Sequence, residues 1–107
     1  MRDDFTEKTK RILARRVNYL CSRPGCPKGT SGPHTESERT ISIGVAAHIT
    51  AASPGGPRYD PTLISAERQH PDNGIWLCES CAKLIDTDDD RWTVDLLREW
   101  KQRCETS

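Results

Sequence analysis

Four of the five cysteines stand in two close pairs, Cys21-x4-Cys26 and Cys78-x2-Cys81, with 51 residues between the pairs. Ser-Arg-Pro-Gly fills the first pair, and the second closes the apolar run Ile75-Trp76-Leu77. Thiolates so spaced form knuckles, and two knuckles fill the four tetrahedral positions of a Zn2+ ion at Zn–S distances of about 2.3 Å. A metal enclosed by four sulfurs has no open position for water, so the expected zinc is structural, and its binding free energy is folding free energy. The same thiols read otherwise are disulfides or unligated core residues. Cys104 falls on the apolar stripe of the last helix, where it reads as a small core side chain.

Three histidines remain. His34 lies in a polar loop and His70 precedes Pro71, so both read as surface residues. His48 differs: it ends the apolar stretch Ala46-Ala47-His48-Ile49-Thr50 immediately before a Gly/Pro loop, which predicts an imidazole at the rim of a cleft. With an ordinary pKa near 6.5 such a ring is partly neutral at pH 7 and can take a proton from water.

The elements that must position these groups follow from periodicity and breakers. A helix is expected at about 5–17, capped by Asp3, Asp4 or Thr6. Residues 21–40 are crowded with Pro, Gly, Ser and Thr and read as a loop or knuckle. Ile41–Ile49 reads as a strand, Thr50–Pro61 as a long loop, and Ile75–Cys78 as a second strand introduced by Asn73-Gly74. A helix is expected at about 79–85, an acidic turn at Asp88-Asp89-Asp90, and a closing amphipathic helix from the cap Thr93 with Val94, Leu97, Trp100 and Cys104 on one face. Trp76, Trp92 and Trp100 read as core.

At 107 residues with 34% hydrophobic residues, the chain is one domain with a thin core, of the kind that a metal staple completes. No run of 18 apolar residues exists, so no membrane span is expected. The first twenty residues carry charges and no apolar secretory segment, from which a cytoplasmic, reducing location is expected, where thiols favour metal over disulfide. Net charge is zero, yet residues 1–68 carry eleven Lys/Arg against seven Asp/Glu, and residues 69–107 carry five against nine. A polyanion would meet the N-terminal two-thirds, a distribution equally natural for a salt-bridged surface.

Taken together, Cys21/Cys26, Gly44-Val45-Ala46-Ala47-His48-Ile49, the Asn73 of Asn73-Gly74-Ile75-Trp76-Leu77-Cys78, and Cys78/Cys81 with Ala82-Lys83-Leu84-Ile85-Asp86 resemble the HNH endonuclease family over about residues 12–103. The likeness is to N-terminal HNH domains of bacterial anti-phage effector nucleases. It implies an α+β fold: a small zinc-clasped ββα-metal (His-Me finger) domain with flanking helices, cutting DNA with little sequence preference. It also implies activation through a sensing domain or a homo-oligomer. His48 would be the general base, and Asn73, which cannot titrate, would hold the loop that aims it. A divalent ion, Mg2+ or Mn2+, would sit on Asp86, four residues beyond Ala82 on the same helix face. The chain departs from the family at Ala47 and Ala82, where many members carry an Asp and a His. Nucleic-acid contacts are expected from Arg58 and Tyr59 on the glycine-rich loop, with Arg58 clamping a phosphate, and from Lys83. The competing class is a non-catalytic zinc module that binds DNA or protein.

Overall fold

A computed structural model describes residues 2–26 and 28–106. Helix α1 spans Glu7–Arg15, with Thr6 as its cap: the Thr6 hydroxyl accepts from the Thr9 N–H at 3.2 Å. Strands β1 (Ser31–Pro33) and β2 (Thr40–Ser42) form an antiparallel hairpin, and β3 (Gly44–His48) pairs antiparallel with β4 (Gly74–Cys78). Between them lie a short helix α2 (Ser65–Arg68) and a 3-10 turn over Pro71–Asn73. Helices α3 (Glu79–Thr87) and α4 (Val94–Glu105) close the chain, the second capped by Thr93, whose hydroxyl accepts from the Leu96 N–H.

The structure corrects the expected strand at 41–49. It is two strands in two sheets, because Ile43 ends the pairing with β1 while its neighbours Gly44–His48 turn to β4. A short part of the expected loop at 21–40 is likewise strand, since Ser31–Pro33 pairs across to Thr40–Ser42. Ile41 and Ile43 are exposed, so this hairpin buries little and carries no alternating pattern that a sequence reading can detect.

Strand β4 is buried throughout and divides the interior in two. Successive side chains of a strand point to opposite faces. Ile75 and Leu77 therefore join Ile49, Ile85, Leu97, Trp92 and Trp100 in one cluster, while Trp76 joins Phe5, Leu13, Ala14 and Val17 in the other; Cys78, where the strand gives way to α3, also enters the first. Helix α3 packs on both β3 and β4, and α1 packs on the same pair. The Trp76 ring lies across Gly44, where an added Cβ would come 2.1 Å from ring carbon Cζ2, so the strand has room for no side chain there. The indole N–H donates to the Thr30 hydroxyl at 2.9 Å.

Candidate active site and metal centre

The candidate metal centre is assembled from two distant segments. Gly25, at φ +82°, and the bond from the Cys26 N–H to Arg23 O fold the first knuckle. The Ser22 N–H then donates to Trp76 O at 3.0 Å, which docks that knuckle beside the end of β4. Cys78 ends the strand and caps α3, and Cys81 lies one turn on. All four sulfurs lie within 4.8 Å of one another, with Cys21, Cys78 and Cys81 buried and Cys26 half-buried. A zinc tetrahedron at about 2.3 Å per bond sets its sulfurs about 3.8 Å apart, so the cluster reaches ligand geometry with small side-chain motion.

Its proton chemistry suits a cation. Burial pushes the Cys21 thiol up. Burial also opposes ionisation of Cys78, but the Cys81 N–H and the surrounding thiols outweigh it and bring this thiol down to about 7. Cys81 is pushed up to about 12, by burial and then by the Cys78 sulfur it faces. Four thiols in one dry place cannot all ionise without a positive charge among them, and a divalent metal supplies it. The donor set therefore fits a structural metal such as zinc. Cys104 stands apart from the cluster, half-buried against the α1 side of the core.

A cleft of about 230 Å3 opens between β3, the 51–58 loop and α3, lined by Arg2, Ala47, His48, Arg58, Ala82 and Asp86 among others. His48 ends β3, and its Nε2 lies 2.9 Å from the Asp3 carbonyl oxygen. A carbonyl can only accept, so in the neutral ring Nε2 carries the hydrogen and Nδ1 carries the lone pair. The Phe5 ring stacks flat on the imidazole at 3.9 Å and 7°. His48 titrates below the usual histidine range, chiefly because burial disfavours the imidazolium.

Asn73 is buried beneath this strand. Its Oδ1 accepts from the Thr50 N–H and hydroxyl, both at 3.0 Å, and its Nδ2 donates to Thr50 O and Arg68 O, both at 3.1 Å. The Ile49 N–H also donates to Asn73 O at 2.8 Å, so the chain just beyond His48 is fastened to the turn before β4. Every polar atom of the Asn73 amide is used, as burial requires.

Arg58, expected to clamp a phosphate, is engaged within the fold. Its side chain is 3% exposed, and the guanidinium faces inward. Nε donates to Ile49 O and Nη1 to Ile85 O, each at 2.7 Å, while Nη2 meets Asp86 Oδ1 at 3.0 Å. The physical reason is the C-terminus of α3, whose last carbonyls lack helical partners and attract a cation. Arg58 sits at φ +58°, an uncommon conformation for a residue with a side chain, sustained by these bonds. Tyr59 is also turned to internal use: its ring lies 4.8 Å from the Arg68 guanidinium, which donates to its hydroxyl at 3.1 Å. Lys83 is exposed on α3. Asp86 is 54% exposed at the cleft mouth, with one oxygen held by Arg58. Asp88 forms the expected acidic turn, accepting from the Arg91 N–H through its side chain and the Trp92 N–H through its carbonyl.

Sequence reasoning missed Arg2, Asp3, Phe5 and Arg68. Phe5, the one phenylalanine, stands alone among charges a residue before a helix cap, and that isolation was the available signal. Arg68 offered none. No protein-family model matches the chain, and no curated protein matches it.

Proposed function

We propose that the chain is an HNH-type endonuclease domain that hydrolyses DNA with little sequence preference, held together by a structural zinc on Cys21, Cys26, Cys78 and Cys81. The observation that carries the reading is the His48 ring. Its Nε2–H is committed to a backbone carbonyl, which leaves the lone pair on Nδ1, and His48 lines a cleft that also holds Asp86. A buried, neutral imidazole is a competent base near pH 7: Nδ1 takes the proton of a water that attacks phosphorus in line with the leaving oxygen. Asn73 fixes the strand end from which His48 projects.

Asp86 offers a single carboxylate, with Oδ2 left over from the Arg58 bond. Mg2+ is commonly held by one or two carboxylates with retained waters and substrate phosphate, so this site fits such an ion only with DNA present. When bound, the ion would supply positive charge to the phosphate. The resemblance further supports an anti-phage effector role in the bacterial cytoplasm, switched on by a sensing domain or by self-association.

The second reading, a zinc module that binds DNA or protein without cutting, is favoured by the Arg58–Asp86 ion pair and by the ligand-free side chains of Ala47 and Ala82. Incubating supercoiled plasmid with the protein and Mg2+ or Mn2+ separates the two. Cleavage by wild type that His48→Ala abolishes, with zinc content unchanged and melting still cooperative, is the expected result. Cleavage that survives His48→Ala removes the mechanism, and its absence from wild type with either ion favours the binding module.

A further inference from the structure

The segment Arg2–Phe5 lies outside the stretch that carries the family resemblance, yet it meets His48 three ways. Asp3 supplies the carbonyl on Nε2, Phe5 supplies the stacked ring, and Arg2 lines the same cleft. The segment is fastened in place. The Asp3 N–H donates to Ala52 O at 2.9 Å, and its buried carboxylate meets the Arg68 guanidinium at 3.4 Å. Phe5 is buried in the α1 cluster. Arg68 in turn gives its carbonyl to Asn73, so one buried residue anchors both the segment and the amide below the strand.

Resting on the nuclease reading of this cleft, we propose that Arg2–Phe5 is a working wall of the active site, in which Asp3 and Phe5 are positioning residues for His48 and Arg2 is the cation that meets the phosphate under attack.

Arg58 cannot take that part, because its guanidinium is spent on carbonyls and Asp86. The Arg2 side chain is 63% exposed at the cleft, and its Nε is held by Asp4 at 3.0 Å. The two Nη groups then serve as a fork for phosphate oxygens. The flat stack of Phe5 restricts the imidazole to one plane and keeps water from one of its faces, while the Asp3 carbonyl selects the tautomer. The charged groups around His48 are Arg2, Asp3 and Asp4 on the segment, with Arg58 and Asp86 from the loop and α3. Burial lowers the ring's affinity for a proton, with Arg2 acting in the same direction and the Asp3 carbonyl, Asp4 and Asp3 against it.

The test uses the full chain carrying Phe5→Leu, Phe5→Met or Arg2→Ala, with Arg39→Ala, an exposed arginine paired to Glu36, as the charge control. Three measurements are made: the His48 tautomer and titration midpoint by nitrogen-15 NMR, affinity for a short DNA duplex without divalent ions, and cleavage with Mn2+. For Phe5→Leu the midpoint rises toward 6.5 and the second tautomer appears. Its kcat falls about tenfold with KM unchanged, and the acid limb of the pH–rate profile moves with the midpoint. Phe5→Met, whose thioether refills the space, does the same if the leucine variant melts too low. Arg2→Ala weakens duplex binding at least about tenfold, as loss of an exposed charge-assisted phosphate contact should, and Arg39→Ala changes it less than about twofold. Folded Phe5 variants with the wild-type tautomer and midpoint overturn the positioning role. Arg2→Ala binding like the control, or wild type that binds no duplex, overturns the phosphate role. If wild type binds duplex but never cuts, the nuclease reading falls, while the NMR titration and the affinities still decide these two roles.

Discussion

Asn73 grips Thr50 through three hydrogen bonds, two accepted at its Oδ1 and one donated from its Nδ2 to the Thr50 carbonyl. The two residues are 23 apart in sequence, and the grip closes the loop between the paired strands at its root. Asn73→Ala leaves the Thr50 N–H and two carbonyls buried without partners. We expect a loss of about 3 kcal/mol, a fall in melting temperature of roughly 15 °C, and a loss of cleavage that cooling does not restore. Calorimetry alongside the plasmid assay checks this; wild-type melting would mean that the grip contributes nothing.

A sulfur cluster of this kind predicts stability that depends on metal. Elemental analysis should find one zinc per chain, and a strong chelator should convert the cooperative melt into a broad, low one. Cys78→Ser should lose both zinc and fold. Cys104→Ser should keep the metal, because that sulfur lies outside the cluster. A Cys78→Ser protein that melts like wild type would remove the clasp.

His48 titrates lower in the folded chain than its ordinary 6.5. A neutral ring is thus favoured by folding, and its contribution is complete above pH 6.5. The contribution declines as pH falls through the lower folded midpoint, because the unfolded chain takes up the proton first. Melting temperatures of wild type should therefore drop more steeply below pH 6.5 than those of His48→Gln. Parallel curves for the two proteins would contradict this.

Arg58 fastens the end of β3 to the end of α3. Arg58→Ala leaves Ile49 O and Ile85 O without that donor and frees Asp86, and we expect a loss of about 3–5 kcal/mol. A phosphate clamp would behave oppositely, losing DNA affinity at unchanged melting temperature. Thermal denaturation and duplex titration of the variant distinguish the two.

Local chemistry made much of this molecule legible. The caps Thr6 and Thr93 and the stripe on α4 mark helices from neighbouring residues alone, and α1 and α3 fall within two residues of the expected bounds. The hairpin of β1 and β2 was invisible because its side chains are mostly exposed and polar, so burial wrote no alternation into them. The partners of Arg58 were illegible for a related reason. A glycine-rich loop with an arginine looks the same whether the guanidinium faces a ligand or a helix end.

The amino-acid order by itself determined that four thiols come in two knuckles, that one histidine ends an apolar strand, and that an asparagine precedes the next, since these depend on residue type and short spacing. Only the tertiary structure decided which nitrogen of His48 keeps its lone pair, which arginine is spent inside, and that Phe5 lies against a ring 43 positions away in sequence. Those outcomes arise from contacts between distant segments, where packing and the partnering of buried polar groups select among arrangements that local propensity leaves equal.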